Sequence, residues 1–486
     1  MPTIGTAESP LRVAIIGSGP SGFYTADFLL KQDKYTVQVD MYDRLPTPYG
    51  LVRGGVAPDH PKIKTVTKVY DKTATNPNFH FFGNVEVGKD ISDEELRKYY
   101  HQVVYAVGAR SDRRMGIPGE ALSGSFPATE FVGWYNAHPD YRDLVFDLSQ
   151  EAVAVIGNGN VAMDVVRILA SSYEELRPTD IADYALEALR ESKVRDIYMV
   201  GRRGPAQASF TNPELKELGE LADADVIVPP DEIKLDPLTE AYLREHPDTT
   251  VEKNLKTLNE FAQRSPAGRS KRIHIMFLAS PVELTGNGHV EAMRLVRNEL
   301  YVSEDGSLRP RPTDRSETLA VGLVFRSIGY KGVALPGMPF DDKAGIIPNV
   351  EGRVIDPVTR QPIPGAYVTG WIKRGPSGVI GTNKPDSSQT AEQMLTDVPS
   401  LAPLDPGCAT IEAVKALFEA RHVKVVTFDD WRLLDAIEIE RGQAIGRPRL
   451  KFSRIPNMLA AIDSINWRAK DESATRVSGE SAAGRP

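Results

Sequence analysis

Residues 13–22 read VAIIGSGPSG, and residues 153–162 read VAVIGNGNVA. In each stretch an apolar run predicts a buried strand, the glycines predict a tight turn, and the apolar spacing that follows predicts a helix. We call the two turns the first glycine turn (Gly17–Gly22) and the second glycine turn (Gly157–Ala162).

A helix N-terminus offers unpaired N–H groups and a partial positive charge, which suit a pyrophosphate. The first glycine permits the turn, the second lets the backbone approach the phosphates, and the third position, Gly22 or Ala162, must be small. One such turn is a modest indication of a dinucleotide. Two in one chain indicate two dinucleotides, and so a flavoenzyme that passes electrons between them.

Composition narrows the class of protein. The chain has 486 residues, enough for about two to four domains. Its formal net charge of −8 makes nucleic acid an unexpected partner. A single cysteine, Cys408, excludes an internal disulfide and a cysteine-ligated cluster, and we expect no metal. We expect a reducing, cytoplasmic location, because Met1–Leu11 resembles neither a signal nor a transit peptide and no apolar run is long enough to cross a bilayer.

Apolar runs alternate with helical stretches, which predicts an α/β chain with parallel sheets and two Rossmann-like dinucleotide-binding domains. Ser92–Glu95 predicts a capping box for a helix to about Tyr100, and Thr179–Ser192 predicts another helix. The predicted strands are Val13–Ile16, Val37–Tyr42, Phe79–Phe82, Val103–Val107, Val153–Ile156 and Asp196–Val200.

We predict the domain boundaries from two places where the sequence changes from apolar strand to polar linker. Core strand gives way to polar linker near Arg110–Pro118, and a similar change follows Ser327–Gly332. These positions bracket the second glycine turn, so we expect the second nucleotide domain, residues 113–331, to be inserted into a first domain of residues 1–112 and 332–468. We expect the small, polar tail 469–486 to be disordered.

The residues after each second strand predict which nucleotide binds. Asp43 stands where a carboxylate accepts hydrogen bonds from a ribose 2′-hydroxyl and repels a 2′-phosphate, so the first turn suits FAD or NAD. In the second unit Arg202 and Arg203 take that place. A guanidinium matches phosphate oxygens, so we expect NADP there rather than NAD.

Several longer motifs resemble the adrenodoxin reductase family, most closely its bacterial NADPH–ferredoxin reductases, over nearly the whole chain to about Ile462. The motifs are LPTPYGLVRGGVAPDHP at 45–61, Gly157–Asp164, Gly201–Pro205, Phe210–Leu218 and GWIKRGPSGVIGT at 370–382.

The resemblance implies a flavoprotein that takes hydride from NADPH and passes single electrons to the iron–sulfur cluster of a ferredoxin. It implies that the first turn takes FAD, with the Trp371 segment against the flavin. The implied FAD site comprises Gly17, Gly19, Pro20, Ser21, Gly22, Asp43, Leu51, Val87, Trp371, Gly378, Val379 and Ile380. The implied NADP site comprises Gly157, Gly159, Asn160, Val161, Ala162, Met163, Arg202, Arg203, Glu214 and Gly378.

The Trp371 segment is also informative by itself. Ala366–Thr369 predicts a buried strand, several glycines then predict a turn, and Pro385 is expected to end that turn before a helix from about Asp386 to Leu395. N–H groups near that helix start would stabilise negative charge on a reduced flavin.

Hydride transfer needs positioning more than an acid or base, because the cofactors carry the chemistry. His60 is the candidate tuning residue, paired with Glu217, which would raise its pKa. Iron–sulfur carriers are commonly acidic, so a local basic face is expected to receive the ferredoxin. Its candidate residues are Arg264, Arg269, Lys271 and Arg272.

Other enzymes carry two nucleotide turns. The small subunit of glutamate synthase and thioredoxin reductase both need cysteines that this chain lacks. A flavin-dependent monooxygenase and a non-enzymatic, NADPH-sensing flavoprotein stay open as alternatives.

Overall fold

The computed structural model of the chain describes residues 3–464. These residues form two compact units. The first comprises residues 3–56, 60–111 and 330–464, and the second comprises residues 57–59 and 112–329. The second unit therefore interrupts the first along the chain, and it also takes the short piece Ala57–Asp59. The predicted tail, 469–486, lies outside the described residues.

The strands of residues 3–464 are β1 (Leu11–Ile16), β2 (Val37–Asp43), β3 (Phe79–Gly83), β4 (Gln102–Tyr105), β5 (Ser111–Asp112), β6 (Ser125–Pro127), β7 (Ala152–Ile156), β8 (Asp196–Val200), β9 (Ala224–Ile227), β10 (Lys271–Met276), β11 (Ala279–Thr285), β12 (Ala292–Val302), β13 (Leu308–Ala320), β14 (Leu323–Arg326), β15 (Tyr330–Lys331), β16 (Asn349–Val350), β17 (Arg353–Ile355) and β18 (Pro362–Val368).

The α-helices of the same residues are α1 (Pro20–Lys31), α2 (Leu51–Gly54), α3 (Pro61–Lys64), α4 (Thr67–Ala74), α5 (Asp93–Tyr99), α6 (Ala128–Tyr135), α7 (Asn160–Ala170), α8 (Tyr173–Leu176), α9 (Asp183–Arg190), α10 (Asn212–Leu218), α11 (Pro237–Glu245), α12 (Thr249–Ala262), α13 (Trp371–Arg374), α14 (Asn383–Asp397), α15 (Ile411–Ala420) and α16 (Phe428–Gln443). None of these helices combines the length and the apolar character needed to cross a bilayer.

The sheet of the first unit has the order β16-β17-β18-β4-β1-β2-β3, and the five strands from β18 to β3 are parallel. Every residue of β1 is buried, and α1 packs against the sheet through Phe23, Ala26 and Leu29. The chain leaves β1 between β4 and β2, where the strand order reverses. Ligands of open α/β sheets bind at such a switch point, beyond the carboxyl ends of the strands. The first glycine turn lies there.

The second unit repeats this arrangement. Its sheet has the order β6-β14-β7-β8-β10-β9, with all neighbours parallel. The second glycine turn follows β7, again at a switch point between β14 and β8. A separate three-stranded antiparallel sheet, β11-β12-β13, belongs to the same unit.

The six strands predicted between Val13 and Val200 all form, with ends shifted by at most two residues, whereas the strand predicted at Ala366–Thr369 begins four residues earlier, at Pro362. The helix predicted for Thr179–Ser192 is shorter, at Asp183–Arg190, because the Thr179 hydroxyl donates to Leu176 O and accepts from Ile181 N–H, which stabilises a turn instead. The expectation that Pro385 precedes a helix is wrong. Helix α14 begins at Asn383, and Pro385 lies in its first turn, where the missing N–H has no helical partner to lose.

Candidate functional site

The first glycine turn packs closely against the protein at Gly17 and is open at Gly19. Gly17 has a φ of 106°, and a Cβ there would come within 2.5 Å of Ala106 O. A Cβ at Gly19, by contrast, would meet nothing within 4 Å. Helix α1 begins at Pro20, and within the described residues no side chain caps it. Its first N–H groups are therefore offered to the open side of the turn, as a pyrophosphate requires.

Asp43 lies at the carboxyl end of β2, beside this turn. Its Oδ2 accepts hydrogen bonds from Ser18 N–H at 3.1 Å and from Ser18 Oγ at 2.5 Å, and its Oδ1 accepts from Leu45 N–H at 3.0 Å. The carboxylate is thus fixed to the first glycine turn. Because a carboxylate offers about four acceptor positions, Asp43 keeps capacity for one further donor, such as a ribose hydroxyl.

Two later segments of the first unit reach the same turn. A Cβ at Gly50 would come within 2.9 Å of Gly19 Cα, and one at Gly370 would come within 2.5 Å of Ser21 Oγ. Gly50 needs to be glycine because two backbones approach closely there, and Gly370 because its φ is 75° and the Ser21 side chain leaves no room for a Cβ. The structure therefore gathers at one place residues that the sequence separates by hundreds of positions.

Trp371 follows directly from this contact. Its ring stacks on Tyr330, with the ring centroids 5.5 Å apart. The Gly370 N–H donates to Asp386 at 2.7 Å, and Asp386 also pairs with the buried Lys373 at 3.0 Å. Trp371 Nε1 is buried and has no hydrogen-bond partner among the described residues. A buried donor without a partner is costly, and a bound ligand atom would satisfy it.

The second glycine turn has the same construction. Gly157 has a φ of 135°, a Cβ there would come within 2.1 Å of Ser327 O, and a Cβ at Gly159 would meet nothing within 4 Å. Helix α7 starts at Asn160, and no side chain of residues 3–464 caps it. Thr211 N–H donates to Asn160 Oδ1 at 2.9 Å, which holds the turn from outside.

Arg202 and Arg203 follow β8 and have no side-chain hydrogen bond or ion pair within the part of the chain that the structure describes. Their backbone is nevertheless fixed, since Arg202 O accepts from Asn298 Nδ2 and Arg203 O accepts from Leu278 N–H. Burial lowers the pKa of the Arg203 guanidinium, and the neighbouring Arg202 lowers it further. Two neighbouring guanidinium groups that repel each other favour the binding of a doubly charged anion such as a phosphate.

Comparison with known proteins agrees with this geometry. A family model described as "Pyridine nucleotide-disulphide oxidoreductase" matches residues 11–200. NADPH-ferredoxin reductase FprA of Mycobacterium tuberculosis is 46% identical over 459 residues, covering 93% of this chain and 98% of that protein. The mitochondrial NADPH:adrenodoxin oxidoreductase of Homo sapiens is 43% identical over 472 residues, covering 93% and 92%.

The solved structure of M. tuberculosis FprA in complex with NADPH superposes with a TM-score of 0.88 at 44% identity, covering 93% of this chain and 99% of that one. The chain belongs to the adrenodoxin reductase family. The resemblance and the fold class expected from the sequence are thereby confirmed, and the chain is an oxidoreductase.

In this member of the adrenodoxin reductase family, Glu214 is not directed at solvent. It is buried and pairs with Arg167 of α7 at 2.9 Å. The same guanidinium pairs with Asp59 at 2.6 Å and Asp164 at 2.7 Å. Burial opposes the charge of Arg167, but these carboxylates raise its pKa above the ordinary value. Sequence reasoning missed Arg167, because its partners Asp59 and Glu214 come from segments far from α7 in the sequence.

Asn158 was also missed. It occupies the place in the second glycine turn that Ser18 occupies in the first, and its Nδ2 is buried without a partner among residues 3–464. Where Ser18 meets the carboxylate of Asp43, Asn158 lies against Gly201, whose added Cβ would stand 2.8 Å from Nδ2. The first unit thus has a Ser18–Asp43 hydrogen bond at this place, whereas the second unit has the Asn158 amide, whose donor has no partner among the described residues.

The remaining predicted FAD residues lie in the first unit. Leu51 and Val379 are exposed, Val87 packs beside the core after β3, and Gly378 and Ile380 lie in the turn before α14. In the predicted NADP set, Ala162 and Met163 are fully buried, and Val161 packs beside the same core of the second unit. His60 precedes α3 in the first unit, whereas Glu217 is on α10 of the second and lies 3.5 Å from Arg167.

The four basic residues proposed for docking lie in the second unit, each with a partner. Arg272 pairs with Asp196 at 2.5 Å, and Arg269 Nη1 donates to Ala224 O at 2.9 Å. Lys271 Nζ donates to Leu169 O and Ser171 O at the C-terminus of α7, where a cation suits the helix dipole. Arg264 is exposed and lies over the Phe261 ring.

Proposed function

We propose that this chain is an NADPH–ferredoxin reductase that binds FAD at the first glycine turn and NADPH at the second. The observation that carries the assignment is the contrast between the two strand ends. Asp43 presents a carboxylate beside the first turn, whereas Arg202 and Arg203 present two guanidinium groups after β8 without side-chain partners among the described residues. The first end suits a ribose hydroxyl, and the second suits a 2′-phosphate.

The bound flavin would supply the step that the protein's side chains lack, accepting an electron pair as hydride and releasing electrons one at a time. The chain's own residues bind and orient. The N-termini of α1 and α7 would hold the two pyrophosphates, and Asp386 holds Gly370 so that Trp371 keeps its position. The unpartnered Trp371 Nε1 and Asn158 Nδ2 are donors that the two cofactors would satisfy.

His60 and Glu217 remain a proposed tuning pair. If the pair acts on hydride transfer, His60→Ala changes the rate of flavin reduction in a stopped-flow experiment more than it changes FAD content. An unchanged rate removes His60 from the site.

The proposed partner is an acidic, ferredoxin-type iron–sulfur protein, and the proposed location is a reducing cytoplasm, supported by the single Cys408. The net charge of −8 argues against nucleic acid as a partner. Of the four basic candidates, Arg264 is the most open for docking, since it is exposed and its contacts are the Phe261 ring and one hydrogen bond of 3.5 Å to Gly219 O. Arg264→Glu is expected to raise the apparent KM for ferredoxin and flatten its salt dependence, and an unaltered salt dependence rejects Arg264 as a docking residue.

One assay tests the whole proposal. Purified protein should be yellow, NADPH should bleach it, and added ferredoxin should make cytochrome c reduction depend on ferredoxin concentration. A flavin that NADPH never bleaches supports the sensor instead. Rapid reaction of the reduced protein with oxygen, with oxidation of an organic substrate, supports the monooxygenase.

A further inference from the structure

Helix α16 reaches back across the sequence to the Tyr49–Gly54 segment. Arg53 donates two hydrogen bonds to Glu438, at 2.8 and 2.6 Å. The Glu438 side chain is 0% exposed and that of Arg53 is 11% exposed. A two-bonded Arg–carboxylate pair fixes orientation as well as distance. Such a buried pair contributes little net stability, because both charges lose their hydration, so its main effect is on geometry.

Glu438 is itself held in place. Phe452 N–H donates to its Oε1 at 2.8 Å, and Arg449 lies 3.5 Å from its Oε2. On the same helix, Trp431 lies beneath the Arg53 guanidinium, 5.0 Å from ring centroid to Cζ, and its Nε1 donates to the Tyr49 hydroxyl at 3.2 Å. Helix α16 therefore anchors both ends of the short stretch that contains Gly50 and Leu51.

The anchored stretch is strained where it meets the first glycine turn. Tyr49 has a φ of 83°, an uncommon value for a residue with a side chain. Such a conformation is unfavourable for a residue with a side chain and persists only where the surroundings hold it. Tyr49 N–H donates to Ser18 O at 3.0 Å, and the next residue, Gly50, lies against Gly19. The strain is thus located on the backbone that would face the pyrophosphate.

We propose that Glu438 is a positioning residue for the FAD site. By holding Arg53, it fixes Gly50 and Leu51 beside the first glycine turn and so sets how tightly FAD is retained. This rests on the proposed function, which assigns FAD to that turn. Helix α16 lies outside residues 11–200, the part matched by the family model. The residue that holds Arg53 in place is therefore not part of the sequence region that contains the nucleotide motif.

The test compares flavin release from three holoenzyme variants with that from the wild type. Glu438→Gln removes the charge at nearly constant shape. Arg53→Lys keeps the charge but loses the two-bonded fork. Asp397→Asn is the matched control, because Asp397 also holds an arginine, Arg353, by two bonds of 2.7 Å in the same unit, and the hydrogen bonds of the Asp397 carboxylate within residues 3–464 go to Arg353 and Tyr367 and not to the first glycine turn. Release is followed by the rise of flavin fluorescence after dilution, and thermal unfolding by circular dichroism.

We expect Glu438→Gln and Arg53→Lys to release FAD about tenfold faster than the wild type, because each loses roughly one charge-assisted hydrogen bond that orients the Gly50–Leu51 segment. We expect Asp397→Asn to release FAD at the wild-type rate. Release within twofold of wild type in both site variants overturns the proposal, as does equally fast release from Asp397→Asn. If Glu438→Gln does not fold, Arg53→Lys decides by the same criterion. Wild-type protein that binds no FAD refutes the proposed function itself, which is a different result.

Discussion

Removal of the Arg202 and Arg203 side chains should nearly abolish the preference of the protein for NADPH over NADH. Each guanidinium that donates to a 2′-phosphate forms charge-assisted hydrogen bonds of about 1.5–3 kcal/mol. Since 1.4 kcal/mol is tenfold in affinity, Arg203→Ala should weaken NADPH binding by about 10- to 150-fold. Arg202 is exposed whereas Arg203 is half-buried, so Arg202→Ala should lie at the lower end of that range.

The measurement is steady-state flavin reduction at varied NADPH and NADH. NADH lacks the 2′-phosphate, so its kcat/KM should change by less than twofold in both variants. Arg311→Ala is the control, because Arg311 is an exposed arginine of the same unit that is paired with Glu299 at 2.6 Å. Equal losses with NADPH and NADH, or an unchanged KM for NADPH in the double variant, would refute the reasoning from unpartnered guanidinium groups.

Three further outcomes are expected. Burial raises the pKa of Asp112 from 3.8 to about 6, against its Thr129 hydrogen bond, so the folded state binds more protons than the unfolded state between those pH values and loses stability as pH rises through them. Asp112→Asn should therefore raise Tm at pH 7 and lose that advantage below pH 4, and a pH-independent difference would contradict this. Asn158→Ala should weaken NADPH binding severalfold without lowering Tm, since it removes a buried donor that has no partner in the described chain, and a lowered Tm would show a structural role instead. Lys271→Met should lower Tm by uncapping α7 while leaving the KM for ferredoxin unchanged, and a raised KM would place Lys271 at the docking surface.

The nucleotide-binding core was readable from the sequence because its signals are local. Each strand, turn and helix start lies within about 20 residues, and Asp43 and Arg202 were singled out because they stand at or just after the ends of β2 and β8. Apolar periodicity alone located β8 to the residue.

Other features were not readable, because their causes are distant or their patterns are atypical. The Arg53–Glu438 pair joins residues 385 positions apart, and nothing near Glu438 marks it as buried. Strand β13 has mostly exposed or half-exposed side chains and contains Pro310 and Pro312, so it shows neither apolar alternation nor strand propensity. Strand β13 is stabilised instead by its antiparallel backbone pairing with β12.

The position of β18 has a consequence for synthesis of the chain. Its neighbour β4 ends at Tyr105, yet β18 begins only at Pro362, after the second unit has been made. While the ribosome completes the second unit, β4 has one unpaired edge, with N–H and C=O groups open to any passing strand. The second unit is therefore made in full before the sheet of the first unit can be completed. We expect a released chain truncated near residue 330 to have a folded second unit and an aggregation-prone first one, because β18, which pairs with β4 in the first sheet, is missing.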